Sequence, residues 1–179
     1  MTKRFSIIKR YVEGKDVLDI GSIGNYNDSL FYSIKPYCKS IIGIDIREGQ
    51  DKSIIVADMQ YCNLNRQFDV VVAGDVIEHV ENQGIFVENI AQHLVNSGIL
   101  IVSTPNARSL APFLSFLSKG SRFHTMWHDR NTIKNILKKH FIIKNVFYIP
   151  GNRKIYSIFN NIPLLNKNGM IVVAEKKVI

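Results

Sequence analysis

Val17-Leu18-Asp19-Ile20-Gly21-Ser22-Ile23-Gly24 places a carboxylate at the end of an apolar run and glycines in the turn beyond it. Downstream, Ile41-Ile42-Gly43-Ile44-Asp45 is a second short apolar run ending in an acid. The separation is roughly that expected of the ribose-binding acid in a nucleotide-binding βαβ unit. Together the two segments read as the floor of a cleft for a nucleoside cofactor.

The position of Asp19 narrows the cofactor. A pyrophosphate would sit over the glycine turn and the following helix N-terminus, where a carboxylate two residues before the first glycine repels it. NAD and FAD are therefore disfavoured. Gly21 and Gly24 give G-x-x-G, with Ile23 where the dinucleotide fingerprint wants its second glycine. A cationic nucleoside without phosphate suits this turn better.

Further segments repeat the pattern. Val56-Ala57-Asp58-Met59 ends a third apolar run in an acid; Phe68-Asp69-Val70-Val71-Val72-Ala73-Gly74 leads into Asp75-Val76-Ile77-Glu78-His79-Val80; and Gly98-Ile99-Leu100-Ile101-Val102-Ser103 runs into Thr104-Pro105-Asn106. In this order the motifs resemble the class I S-adenosylmethionine-dependent methyltransferases, and among them the ubiquinone O-methyltransferase-like branch (methyltransferase types 11, 12 and 23). The likeness covers about residues 15 to 149. It implies a Rossmann-like α/β fold, with a mainly parallel seven-stranded sheet, an antiparallel last strand and helices on both faces. It also implies S-adenosylmethionine as cofactor, held by Asp19, Gly21, Ser22, Gly24, Asp45, Ile46, Asp58, Met59, Gly74 and Asp75. In the family, the acid at Asp45 binds both ribose hydroxyls and that at Asp58 accepts from the adenine amino group. Where the family has G-x-G-x-G, this chain has Gly21-Ser22-Ile23-Gly24-Asn25, so a branched side chain falls at the closest approach to the methionine moiety.

Composition is compatible with this reading. A chain of 179 residues that is 46% hydrophobic can bury a core as one domain spanning 1–179. No apolar run approaches eighteen residues, and Lys3, Arg4, Lys9 and Arg10 interrupt the N-terminus, so a soluble, cytoplasmic protein without membrane span or secretory leader is expected. Cys38 and Cys62 have neither metal-ligand spacing nor a disulfide framework. Fifteen acids stand against twenty-three lysines and arginines, for a net charge of +8. Yet Asp19, Asp45, Asp58, Asp75 and Glu78 all fall at or just past the ends of apolar runs, the edge where open α/β sheets bind ligands. An acidic pocket in a basic protein suits a sulfonium cofactor.

Short apolar runs alternate with helical patterns, which predicts a largely parallel sheet covered on both faces. Strands are expected near 16–20, 40–45, 53–57, 68–73, 97–103, 141–149 and 169–175, and helices near 2–12, 27–36, 82–95, 108–119 and 130–139. Phe86, Val87, Ile90, Ala91 and Leu94 give the 82–95 segment one apolar face, and Asp129 is a candidate N-cap for the helix that follows it. The stretch 150–168 reads as an excursion between the last two strands.

Methyl transfer to oxygen or nitrogen requires loss of a proton, so a base is sought. His79 is the first candidate; His124 and His128, in the segment after the fifth strand that resembles the family's substrate-covering loop, come next, with Glu78. The function expected is methyl transfer to a small-molecule acceptor at oxygen, and Phe113, Phe116, Phe123 and Trp127 suit an acceptor with an apolar or ring face. If residues 75–79 were helical, Asp75, Glu78 and His79 would share one face and could ligate a divalent cation, as the resembling E-x-x-E-H segment does in small-RNA 3′-end 2′-O-methyltransferases. Asp75 replaces the first Glu of that motif, and no metal is assigned. Two alternatives stand beside this reading: an RNA 2′-O-methyltransferase with a metal-assisted site, favoured by the net charge, and a methyltransferase-like protein that binds cofactor weakly. The acceptor, pathway and oligomeric state are not written in the sequence.

Overall fold

The computed structural model describes residues 2–24, 29–49, 51–109, 126–150 and 167–178. The chain opens with helix α1 (Lys3–Val12), whose N-cap Thr2 accepts a hydrogen bond from the Phe5 amide. Strand β1 (Asp16–Ile20), helix α2 (Leu30–Ile34), strands β2 (Ser40–Asp45), β3 (Ile54–Val56) and β4 (Phe68–Gly74), helix α3 (Gln83–Gln92) and strand β5 (Leu94–Pro105) follow. Helix α4 (Arg130–Leu137) and strands β6 (Phe141–Ile149) and β7 (Gly169–Lys176) complete the described elements.

Among the described residues, seven strands form one sheet in the order β3-β2-β1-β4-β5-β7-β6. β1 pairs in parallel with β2 and β4, while β7 runs antiparallel to both β5 and β6. This is the class I methyltransferase fold expected from the motifs. Both faces of the central strands are apolar because both are covered. Leu18, Val71, Leu100 and Val172 pack on one face with Phe86, Ile90 and Ile133 of α3 and α4. Their strand neighbours Val17, Val72, Ile101 and Ile171 pack on the other with Phe5, Ile8 and Val12 of α1 and Ile34 of α2.

Several boundaries differ from the sequence reading for local reasons. The segment expected to be helical over 82–95 stops at Gln92, and Leu94 already pairs with Phe68. Strand β5 then bulges, resuming its register at Ile99 opposite Val70, with Ser97 at φ 58°. One extra loop of backbone lets the chain leave a helix and enter the sheet without a separate linker. The expected helix over 27–36 is a short α2 continued by a 3₁₀ turn at Lys35–Tyr37, where Pro36 lies. Asp129 caps α4 as predicted, its carboxylate accepting from the Asn131 and Thr132 amides while the Thr132 hydroxyl accepts from the Asp129 amide. The expected helix 108–119 falls outside the described residues from 110 onward, as does nearly all of the 150–168 excursion.

The turn after β1 is fixed by two neighbours. Gly21 and Ser22 donate their amides to the Ile44 carbonyl of β2 at 2.8 and 3.2 Å. Gly21 adopts φ 79°, and a Cβ there would lie 2.5 Å from Cγ2 of Val76, in the segment after β4. Glycine is thus required twice, for its backbone angle and for the approach of the β4 exit. We expect Gly21→Ala to lower stability by about 2–4 kcal/mol, from the positive φ and the overpacking together. Urea unfolding should show part of this loss restored in the Gly21→Ala/Val76→Ala double variant; strict additivity of the two substitutions would contradict the contact.

Candidate active site

The carboxyl ends of β1, β2 and β4 meet at this turn, and their acids lie close to it. Asp19 closes β1 and is only 2% exposed. Burial pushes its carboxyl up to about 7, against the pull of Arg4. Ser22, expected to face the cofactor, turns inward: its hydroxyl donates to the Asp19 carbonyl at 2.8 Å and fills the space over Gly43, where a Cβ would lie 2.5 Å from Oγ. The branched side chain of Ile23 packs against Gly49, 3.2 Å from where a Cβ would stand. It therefore points along the loop after β2, and the altered glycine motif presents main chain at this point.

Asp45 closes β2 at 5% exposure. Its Oδ2 accepts from the Ile23 amide at 3.0 Å and its Oδ1 from the Arg47 amide at 3.0 Å. The side chain of Arg47 adds Nε on Oδ1 at 3.2 Å. Ile46 beside it is 74% exposed, an unusual place for a large aliphatic side chain. Asp58, after β3, is half-buried and held by Gln60, whose amide donates to Oδ1 at 2.8 Å. The Met59 side chain is 2% exposed and belongs to the core, while its carbonyl accepts from Asn89.

Gly74 and Asp75 end β4. Asp75 takes φ 55° and donates its amide to the Ser103 carbonyl of β5. Its carboxylate pairs with Arg4 and accepts from the Ser103 hydroxyl at 3.1 Å. The Arg4 guanidinium lies directly over Gly74, where it would collide with any side chain. Arg4 was legible in the sequence only as a charge interrupting the N-terminus. A structural signal was nevertheless present: α1 and β1 are joined by three residues, so α1 runs back alongside β1, and ten helical residues span about the length of a five-residue strand. The start of α1 must return to the carboxyl edge.

Residues 75–79 are not one helix. The left-handed Asp75 is followed by a single 3₁₀ turn at Ile77–His79, so the condition under which Asp75, Glu78 and His79 would share one face is not met. Glu78 is 1% exposed, and burial lifts its carboxyl to about 7, whereas Asp75 and His79 are exposed. Among the described residues no group of three or more His, Cys, Asp and Glu side chains is placed to hold a metal ion. His128 is 1% exposed and burial lowers its pKa. The Gln83 amide nitrogen lies 3.0 Å from its Nε2 and 2.8 Å from the Ile77 carbonyl, which makes Nε2 the acceptor and fixes a neutral imidazole. The His128 backbone bridges Asn106 at the end of β5, and the Met126 amide reaches the Glu78 carbonyl, so this strand of chain is stitched over the β4 exit. His124, like Phe113, Phe116 and Phe123, lies outside the described residues.

A deep turn of glycines flanked by buried acids at the carboxyl edge of a doubly covered sheet is the site of the class I methyltransferase fold. The family model described as a methyltransferase domain matches residues 3–142, and the chain belongs to that family. It is similar to a protein named ubiquinone biosynthesis O-methyltransferase from Rickettsia canadensis, 38% identical over 68 residues, which are 38% of this chain and 28% of that one. A protein of the same name from Bradyrhizobium diazoefficiens is 24% identical over 144 residues, 73% of this chain and 53% of that protein. The matched segments thus span about a quarter to a half of those relatives. In fold it resembles a SAM-dependent methyltransferase from Archaeoglobus fulgidus, with a TM-score of 0.72 at 19% identity over 97% of this chain and 91% of that one. It also resembles the N-methyltransferase NodS from Bradyrhizobium japonicum in complex with S-adenosyl-L-homocysteine, at TM-score 0.68 and 14% identity, over 97% and 86% of the two chains. No helix among the described residues is long and apolar enough to cross a membrane.

The two lifted carboxyls carry a prediction for the ligand-free protein. The folded state holds protons on Asp19 and Glu78 that the unfolded chain, with carboxyls near 4, has released. Their contribution is therefore intact below about pH 4 and is lost as pH rises toward 7. Each group should steepen the decline in stability by up to about 1 kcal/mol per pH unit across this window. Urea unfolding between pH 5 and 8 should show a flatter profile for Asp19→Asn and for Glu78→Gln. Profiles parallel to wild type in both variants would show that neither carboxyl is buried as described.

Proposed function

We propose that this protein transfers a methyl group from S-adenosylmethionine to the oxygen of a small-molecule acceptor. The observation that carries the reading is the line of acids at the carboxyl edge, with buried Asp19 beside a glycine turn and buried Asp45 joined to the same turn through its Oδ2 on the Ile23 amide. A sulfonium nucleoside with a free amino group is the ligand whose charge such a line complements. When bound, the cofactor supplies an electrophilic methyl group.

The residues present fit this ligand. Asp19 would face the amino group, and ionise on doing so. Arg4, a cation inside an acidic cleft, would receive the carboxylate of the methionine moiety in exchange for Asp75. Gly74 has no side chain to displace Arg4 from this position, and Gly21 and Gly24 shape the turn beside it through their positive φ. Asp45 would accept from the two ribose hydroxyls, and exposed Ile46 offers an apolar face to the base, with Asp58 placed to accept from its amino group. Ser22 and the Met59 side chain would act from behind, holding the turn and the core. His79, exposed in the turn after β4, is assigned the removal of the acceptor's proton; His128 and Glu78, both buried, are assigned to holding that turn in place. The relatives named ubiquinone biosynthesis O-methyltransferase favour oxygen as the nucleophile, and half-buried Trp127 with exposed Met126 provides apolar surface near the β4 exit.

Asp45→Ala should weaken S-adenosylhomocysteine binding by about 1–3 kcal/mol through loss of charge-assisted hydrogen bonds. His79→Ala should lower turnover and leave that affinity unchanged. Both are measured by calorimetry alongside a methyl-transfer assay on phenols, carboxylates, sugars and an RNA pool. Activity on RNA alone that falls steeply with salt would replace the small acceptor with a nucleic acid, and unchanged turnover in His79→Ala would remove its role.

A further inference from the structure

Arg47 covers the carboxylate of Asp45. The Asp45 carboxylate has about four lone-pair positions. Two are taken by main-chain donors, the Ile23 amide on Oδ2 and the Arg47 amide on Oδ1, both at 3.0 Å. These are fixed by the fold and orient the carboxylate. The other two are taken by one side chain, with Arg47 Nε on Oδ1 at 3.2 Å and Nη2 near Oδ2 at 3.5 Å. Nη2 also donates to the Gly24 carbonyl at 3.0 Å, so the guanidinium spans from the acid to the glycine turn.

A vicinal diol binds a carboxylate in the same way, with one donor to each oxygen. We propose that Arg47 is a built-in competitor for the ribose hydroxyls, which holds the Asp45 carboxylate and sets how tightly the cofactor binds. The inference rests on the assignment of Asp45 to the ribose. With Arg47 in place the carboxylate has no remaining position, so the diol enters only as the guanidinium leaves. Departure is feasible because the Arg47 side chain is 53% exposed while that of Asp45 is 4% exposed. The acid is rigid and the arginine is free to swing into water. An ion pair with one solvated partner is weak, so the competitor attenuates binding without closing the site. Its hydrogen bonds also help to satisfy a carboxylate that is 5% exposed.

Calorimetric titration of S-adenosylhomocysteine into wild type, Arg47→Ala, Arg47→Gln, Asp45→Ala and the Asp45→Ala/Arg47→Ala double variant tests this. The expected result is tighter binding by Arg47→Ala and Arg47→Gln, by about two- to fivefold, and no gain from removing Arg47 once Asp45 is gone. Arg47→Ala and Arg47→Gln that bind no more tightly than wild type would overturn the competitor role and leave the cofactor reading standing. The same gain in the Asp45→Ala background would also overturn it, since the effect would not pass through the carboxylate. No binding by wild type or any variant at a few hundred micromolar ligand would remove the cofactor reading and the competitor with it.

Discussion

A carboxylate taken out of water must hold a proton, meet a cation or collect hydrogen-bond donors, and the two buried acids Asp19 and Asp45 at the edge of this sheet use all three solutions between them. Asp19 is lifted toward neutrality by burial. Asp75 beside them is exposed and pairs with Arg4. Asp45 gathers two main-chain amides and the Arg47 guanidinium. Grouping several acids at one edge costs stability that an uncharged edge would keep, and on the proposed function a ligand carrying positive charge and hydroxyl donors would recover it.

The backbone explains why these acids converge. β1, β2 and β4 are adjacent and parallel, so their carboxyl ends finish at one level. The chain can leave β1 beside β4 only because Gly21 has no side chain to meet Val76, and can leave β2 beside the turn only because Gly43 makes room for Ser22. These two glycines are structural partners of the site. The Asp75 backbone, left-handed at the end of β4, then turns Glu78 inward and His79 outward, which separates residues that a continuous helix would have aligned.

Much of this was legible in the sequence. Apolar runs ending in acids gave the strands and their ligand-binding edge, because a buried parallel strand must be apolar and its first polar residue marks its exit. β1, β2 and β6 fall where the pattern places them. The Asp129 cap was legible too, since its partner Thr132 stands three residues on. What could not be read depends on tertiary approach. The inward turn of Ser22 and the outward path of Ile23 follow from Gly43 and Gly49, whose closeness to the turn has no local signature. The 3₁₀ turn at Ile77–His79 follows a left-handed Asp75, a backbone angle that a non-glycine residue does not announce in the sequence. The roles of Arg4 and Arg47 were not legible, because a pairing across the fold, or onto an acid whose burial is unknown, leaves no periodic trace.

If the buried acids Asp19 and Asp45 receive a positively charged nucleoside, proton release on binding reports it. Titration of S-adenosylmethionine near pH 6.5 in buffers of differing ionisation enthalpy counts the protons exchanged on binding. If Asp19 gives up its proton to face the ligand's charge, a net fraction of a proton should be released to buffer, and Asp19→Asn should abolish much of that release. Binding without proton release, or with the same release in the variant, would contradict the account.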